Sequence, residues 1–167
     1  GAPFHGGQSR YRIAANYGTS IFQGDMVAQV TGGTVEVHAD GGTVPIVGVF
    51  NGCRYTDPTT KKETFSNFYP ASTNASDIEA FIIDDPNVIY EIQADAAFPI
   101  ADLFGNFDIV YTSAGSTVTG ISGAELDVTT GATTAGLPLK AIDISQDPEN
   151  SDVGSDATNV LVVIQKI

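Results

Sequence analysis

Apolar and polar positions alternate with a period of two through most of this chain. The pattern is plain in "TVEVHA" (Thr34–Ala39), "IEAFII" (Ile78–Ile83), "VIYEIQA" (Val88–Ala94), "LPLKAIDIS" (Leu137–Ser145) and "NVLVVIQKI" (Asn159–Ile167). Successive side chains of a strand point to opposite faces, so such runs predict strands with one buried face. Turn formers separate them: "TGG", "DGG", "DPTTKK", "DDPN", "SAGS", "SGA", "TTGATTAG" and "DPENSD". Short strands with frequent punctuation belong to sandwiches and barrels. No long stretch has the 3.6-residue period that a parallel βα architecture requires. The best helix candidate is "PIADLFGN" (Pro99–Asn106). Pro fits its first turn, Asp102 its positive end, and Gly105 its stop. The expected fold is therefore all-β: an antiparallel β-sandwich or partly open barrel, with one short helix and an extended N-terminal arm.

The arm is residues 1–9, "GAPFHGGQS", which is Gly-rich and lacks periodicity; residues 10–167 are expected to form a single β domain. Arg10 and Arg12 alternate with Tyr11 and Ile13, which puts both guanidinium groups on one strand face. The segment "GVFNGCRYTDPTTKKETFSNFYPA" (Gly48–Ala71) reads as a projecting hairpin. Asp57-Pro58 starts its turn and Lys61 and Lys62 stand near the tip. Tyr55, Phe65, Phe68 and Tyr69 gather towards its base. Aromatic side chains are enriched where proteins meet proteins. The expected interface residues are Phe4, Arg10, Arg12, Tyr17, Tyr55, Lys61, Lys62, Phe65, Phe68 and Tyr69.

Composition narrows the function classes. At 167 residues and 42% apolar, the chain can bury a core without staples. Charged residues make up only 16%, against the usual quarter, so much of the surface is Ser, Thr, Asn and Gly. The net charge of −13 argues against sequence-independent nucleic-acid binding and against anionic membranes. No apolar run approaches the roughly 20 residues that span a bilayer, and no signal-peptide pattern is visible. One cysteine, Cys53, cannot make an internal disulfide.

Candidate chemistry is sparse. His5 and His38 are the two histidines, and both read as exposed, without a nucleophile motif nearby. "GISGAE" (Gly120–Glu125) misses the nucleophile-elbow spacing by one residue. Arg54 beside Cys53 could lower its pKa, but strand neighbours face opposite ways, so Cys53 is expected to be a small buried hydrophobe. Asp143, Asp147, Glu149, Asp152 and Asp156 offer oxygen ligands of the kind Ca²⁺ takes, yet their spacing misses the calcium-loop pattern. They read as a solvated connection. Asp84 and Asp85 in "IDDPN" sit where Asp caps a turn. No catalytic, metal or cofactor residues are assigned, and the chain is not expected to be an enzyme.

"YRIAANYGTSIFQGDMVAQVTGGTVEV", "VGVFNGCRYTDPTTKKETFSNFYPASTNASDIEAFIIDDPNVIYEIQAD" and "SGAELDVTTGATTAGLPLKAIDISQDPEN" resemble a group of virion structural proteins of marine tailed bacteriophages. The most specific pieces are "GVFNGCRYTDP", "FSNFYPAST" and "DDPNVIYEIQAD". The resemblance implies a capsid decoration, or cement, protein on the outer surface of an HK97-type icosahedral head. Such a protein is made in the bacterial host cytoplasm and bridges capsomers. Its implied partners are the major capsid protein and copies of itself, as a homo-trimer or a dimer, with the N-terminal arm as a latch. Two other readings compete: a carbohydrate-binding or adhesive β-sandwich, and a jelly-roll coat protein. The absence of Trp weighs against a sugar-stacking face.

Overall fold

Where the sequence alternates, strands form. The computed structural model describes residues 7–39, 41, 44–133, 136–148 and 156–165. The chain is all-β, and its one helical element among the described residues is a three-residue 3-10 turn, Ile100–Asp102. The helix expected over Pro99–Asn106 stops there because Phe104 takes a left-handed φ of 68° and its N–H donates to Ala141 O at 2.9 Å. Asn106 already belongs to a strand.

Contacts divide the chain into two compact units. Unit 1 comprises Gly1–His38, Val47–Asp85 and Ala114–Ser122; unit 2 comprises Ala39–Ile46, Pro86–Ser113 and Gly123–Ile167.

Unit 1 holds β1 (Ser9–Arg12), β2 (Met26–Val30), β3 (Thr34–Val37), all but the first residue of β4 (Ile46–Thr56), β5 (Glu63–Ser66) and β6 (Glu79–Ile83). Their order is β2-β3-β1-β6-β4-β5, and β4 also pairs with β2. The sheet therefore curls back on itself, with β5 hanging from β4 as a sixth strand. The β1–β6, β2–β3, β4–β5 and β4–β6 pairs are antiparallel, and β1 and β3 run parallel at Arg12 and Thr34. The inward side chains include Val27, Val35, Phe50, Cys53, Tyr55, Tyr69, Ile78 and Ile82, all of them buried. Gly52 interrupts the β4–β6 register between Phe50 and Cys53 with φ 119°, a backbone state open to glycine.

Unit 2 holds β7 (Ile89–Gln93), β8 (Asn106–Val110), β9 (Glu125–Ala132), β10 (Leu139–Ile144) and β11 (Asn159–Ile164), in the order β7-β11-β10-β8-β9. A bridge between Ala94 and Leu126, with Asp95 N–H donating to Leu126 O at 3.0 Å, joins the two ends into a closed five-stranded barrel. Phe98 and Phe107 fill it, with ring centroids 5.4 Å apart.

His38 corrects its sequence reading. It is 1% exposed rather than solvated, because its N–H donates to Met26 O at 2.8 Å and carries the β2–β3 ladder one residue further. His5 and Phe4 lie outside the described residues, as do Glu149 and Asp152 of the acidic connection. Among the described residues no group of three or more His, Cys, Asp or Glu could hold a metal ion.

Candidate interaction surface

The outer face of unit 1 follows from strand register. Side chains directly opposite each other across a ladder share a face. Arg12 lies opposite Glu79, Glu79 opposite Arg54, and Arg54 opposite Phe65, so one row crosses β1, β6, β4 and β5. The neighbouring row places Arg10 opposite Phe81. All three arginines of the chain thus stand on one face.

An ion network organises that face. Nη1 of Arg10 and Nη1 of Arg54 each lie 3.6 Å from the same Oε2 of Glu79. That oxygen is enclosed and has no partner at hydrogen-bond distance, so the two guanidinium groups hold it at ion-pair range. Arg54 also donates through Nε to Glu63. Arg10 stacks over the Phe81 ring, 5.8 Å from its centroid. Among the described residues Arg12 makes no ion pair and is exposed. Phe65 is 68% exposed beside these charges.

The hairpin tip forms as its sequence demands. Asp57 N–H donates to Lys62 O at 2.9 Å, and Oδ1 of Asp57 accepts from Thr59 N–H at 2.7 Å and Thr60 N–H at 2.9 Å. The Thr60 and Thr59 N–H groups hold the Asp57 carboxyl below the usual range. Lys61 takes φ 59° at the turn, and both Lys61 and Lys62 are exposed.

The described residues of the expected interface therefore separate into three groups. Arg10, Arg12, Lys61, Lys62 and Phe65 are presented to solvent. Tyr55 and Tyr69 are core residues, 7% and 0% exposed, because the odd positions of β4 next to Cys53 face inward and Tyr69 bridges to Ile21. Tyr17 is half-buried: it stacks on Tyr69 at 6.0 Å, and its hydroxyl accepts Val37 N–H at 3.3 Å. Phe68 is half-buried against Phe22, with ring centroids 5.7 Å apart. Cys53 is 1% exposed, and burial pushes its thiol up to about 12.

Three features escaped the sequence reading. Glu79 and Phe81 are the outward half of "IEAFII", and that alternation could have placed them. Asp84 clamps β1, with Oδ1 accepting from Ser9 Oγ at 3.0 Å and Oδ2 from Tyr11 Oη at 2.7 Å. Residues 7–9, read as arm, are thus partly tied in, and Gln8 accepts from Asn51 at 2.9 Å. Finally, the distant segment Ala114–Ser122 returns to unit 1. Its Ser122 hydroxyl donates to buried Asp25, and Thr119 O accepts from Asn67 Nδ2 at 2.7 Å. Gly120 has φ 75°, and a Cβ there would lie 2.3 Å from the Asn67 amide. This return leaves Val118 93% and Ile121 50% exposed. No sequence periodicity marks such a long-range return.

No protein family, curated protein sequence or solved structure matches this chain.

Proposed function

We propose that this chain is a virion structural protein, a decoration or cement protein bound to the outer surface of an HK97-type bacteriophage head. The observation that supports this reading is the outer face of unit 1. It combines a preorganised arginine–glutamate network with exposed Phe65 beside a hairpin whose tip carries Lys61 and Lys62. A sheet face with a charged row and an aromatic edge suits contact with another protein surface. Many weak copies of such a contact, fixed by the symmetry of a shell, raise the effective concentration of each. The resemblance of "GVFNGCRYTDP" and "FSNFYPAST" to marine phage virion proteins supports the same reading.

The test is co-sedimentation of the purified protein with purified empty shells of its phage. Saturable binding to the expanded shell is expected, weakened by Phe65→Ser. Failure to bind shells at any ionic strength overturns the reading.

A further inference from the structure

One aromatic residue of unit 2 stands where neither its backbone state nor its surroundings suit it. Phe104 takes a left-handed φ of 68° and is 69% exposed. That backbone state crowds any residue with a Cβ and is ordinarily left to glycine or asparagine. The turn nonetheless fixes it. Leu103 N–H donates to Ile100 O at 3.1 Å, Phe104 N–H to Ala141 O at 2.9 Å, and Gly105 N–H to Asp102 O at 3.1 Å. Strained residues of this kind cluster where ligands are clamped.

Phe104 forms one wall of a groove of about 370 Å³, within the size range of small-molecule sites. Glycines keep the groove open. A Cβ at Gly131 would lie 2.8 Å from Cε1 of Phe107, and one at Gly105 would lie 3.0 Å from Asp102 O. Of the side chains that line the groove, only those of Asp102 and Thr133 are polar. Asp102 is half-buried, and among the described residues its carboxylate makes no hydrogen bond or ion pair.

One carboxylate in an otherwise apolar lining selects the class of ligand. A hard metal ion such as Ca²⁺ takes about six to eight oxygens, more than this lining offers. A sugar carries hydroxyls all round its ring, and one carboxylate with one hydroxyl would leave most of them unpaired. An anion is opposed by Asp102 and by the unit as a whole, which holds twelve carboxylates against two lysines, a net of −10. A positive charge wrapped in apolar substituents meets all of these conditions.

We infer that this groove binds a small organic cation of the alkylated ammonium type, with Asp102 as its counter-ion and the Phe104 ring as its cation–π face. The site belongs to unit 2, whereas the arginine face belongs to unit 1, and it does not depend on the decoration-protein reading.

Choline, a trimethylammonium alcohol, is the probe, followed through the amide chemical shifts of the isotope-labelled full chain. Saturable shifts at Asp102, Phe104 and Gly131 are expected in the millimolar range, weakening as salt rises. The uncharged analogue, with carbon in place of nitrogen, should bind about tenfold more weakly or worse. Asp102→Asn keeps the shape of the side chain and removes its charge, and should weaken choline by about tenfold. Phe104→Gly suits the left-handed backbone, so it should melt no lower than wild type while losing choline binding. The inference is overturned if wild type does not bind choline or binds the uncharged analogue equally well. It is also overturned if Asp102→Asn or Phe104→Gly binds choline as wild type does, or if glucose shifts the same amides more strongly than choline.

Discussion

The Tyr11 hydroxyl donates a 2.7 Å hydrogen bond to Oδ2 of Asp84, pinning β1 to the end of β6. Ser9 donates to the other oxygen of the same carboxylate. The first strand is therefore held by side chains as well as by its ladder, and the arginines it carries are fixed on the outer face. Tyr11→Phe should cost about 1 kcal/mol, the usual net value of a half-exposed hydrogen bond. Removing the chain through Ser9 should lower the melting temperature, because the Gln8 bond to Asn51 and the Ser9 bond to Asp84 go with it. Thermal denaturation of both variants checks this.

The same bond has a pH signature. The Asp84 hydrogen bond, then burial, raises the Tyr11 pKa above its usual value. A raised pKa stabilises the fold fully below the unfolded value and loses that contribution as pH rises through the folded one. Wild type should therefore lose stability relative to Tyr11→Phe as pH climbs past about 10. Denaturant titrations at pH 8 to 11 compare the two.

Asp25 is 1% exposed, and burial raises its pKa, opposed by hydrogen bonds from Phe22 N–H and Ser122. The contribution is complete below the unfolded carboxylate value and falls as pH rises through the folded pKa. The stability of wild type relative to Asp25→Asn should thus decline from acid towards neutral pH. Ser122→Ala, which removes a hydrogen bond to this buried carboxylate, should cost about 1.5–3 kcal/mol at neutral pH. Urea unfolding at several pH values checks both.

Gly120→Ala should destabilise unit 1 by more than about 1 kcal/mol. The new Cβ would lie 2.3 Å from the Asn67 amide at a φ of 75° and break its bond to Thr119. Proteolysis should then begin within Ala114–Ser122. Gly18→Ala, where nothing lies within 4 Å, is the matched control and should be nearly neutral.

Cys53→Ala should cost about 1–2 kcal/mol through the lost buried volume. With its thiol pushed up to about 12 and no exposed sulfur, native Cys53 should react with a disulfide reagent only at the rate of unfolding. Reaction half-times with and without urea measure it.

Legibility followed the range of the interactions. Period-two alternation and turn chemistry gave the strand and hairpin positions, including the Asp57 turn, because those depend on residues close in sequence. Cys53 was readable as a core residue from its strand neighbours. Tyr55 and Tyr69 were not, because an aromatic on a hairpin can face either way, and the Gly52 bulge decides which. His38 was misjudged for a similar reason: the ladder runs one residue past β3. The Asp84 clamp and the return of Ala114–Ser122 join residues dozens apart in sequence. No local pattern encodes them.

The central proposal is that this protein works by adhesion through sheet faces repeated on a viral shell. Electron cryo-microscopy of intact particles of the proposed phage tests that most directly. The account expects density for the two β units on the outer surface of the head, with the β4–β5 hairpin and the arginine row seated against neighbouring subunits. Absence of the chain from the particle, or its placement with that face open to solvent, would contradict it.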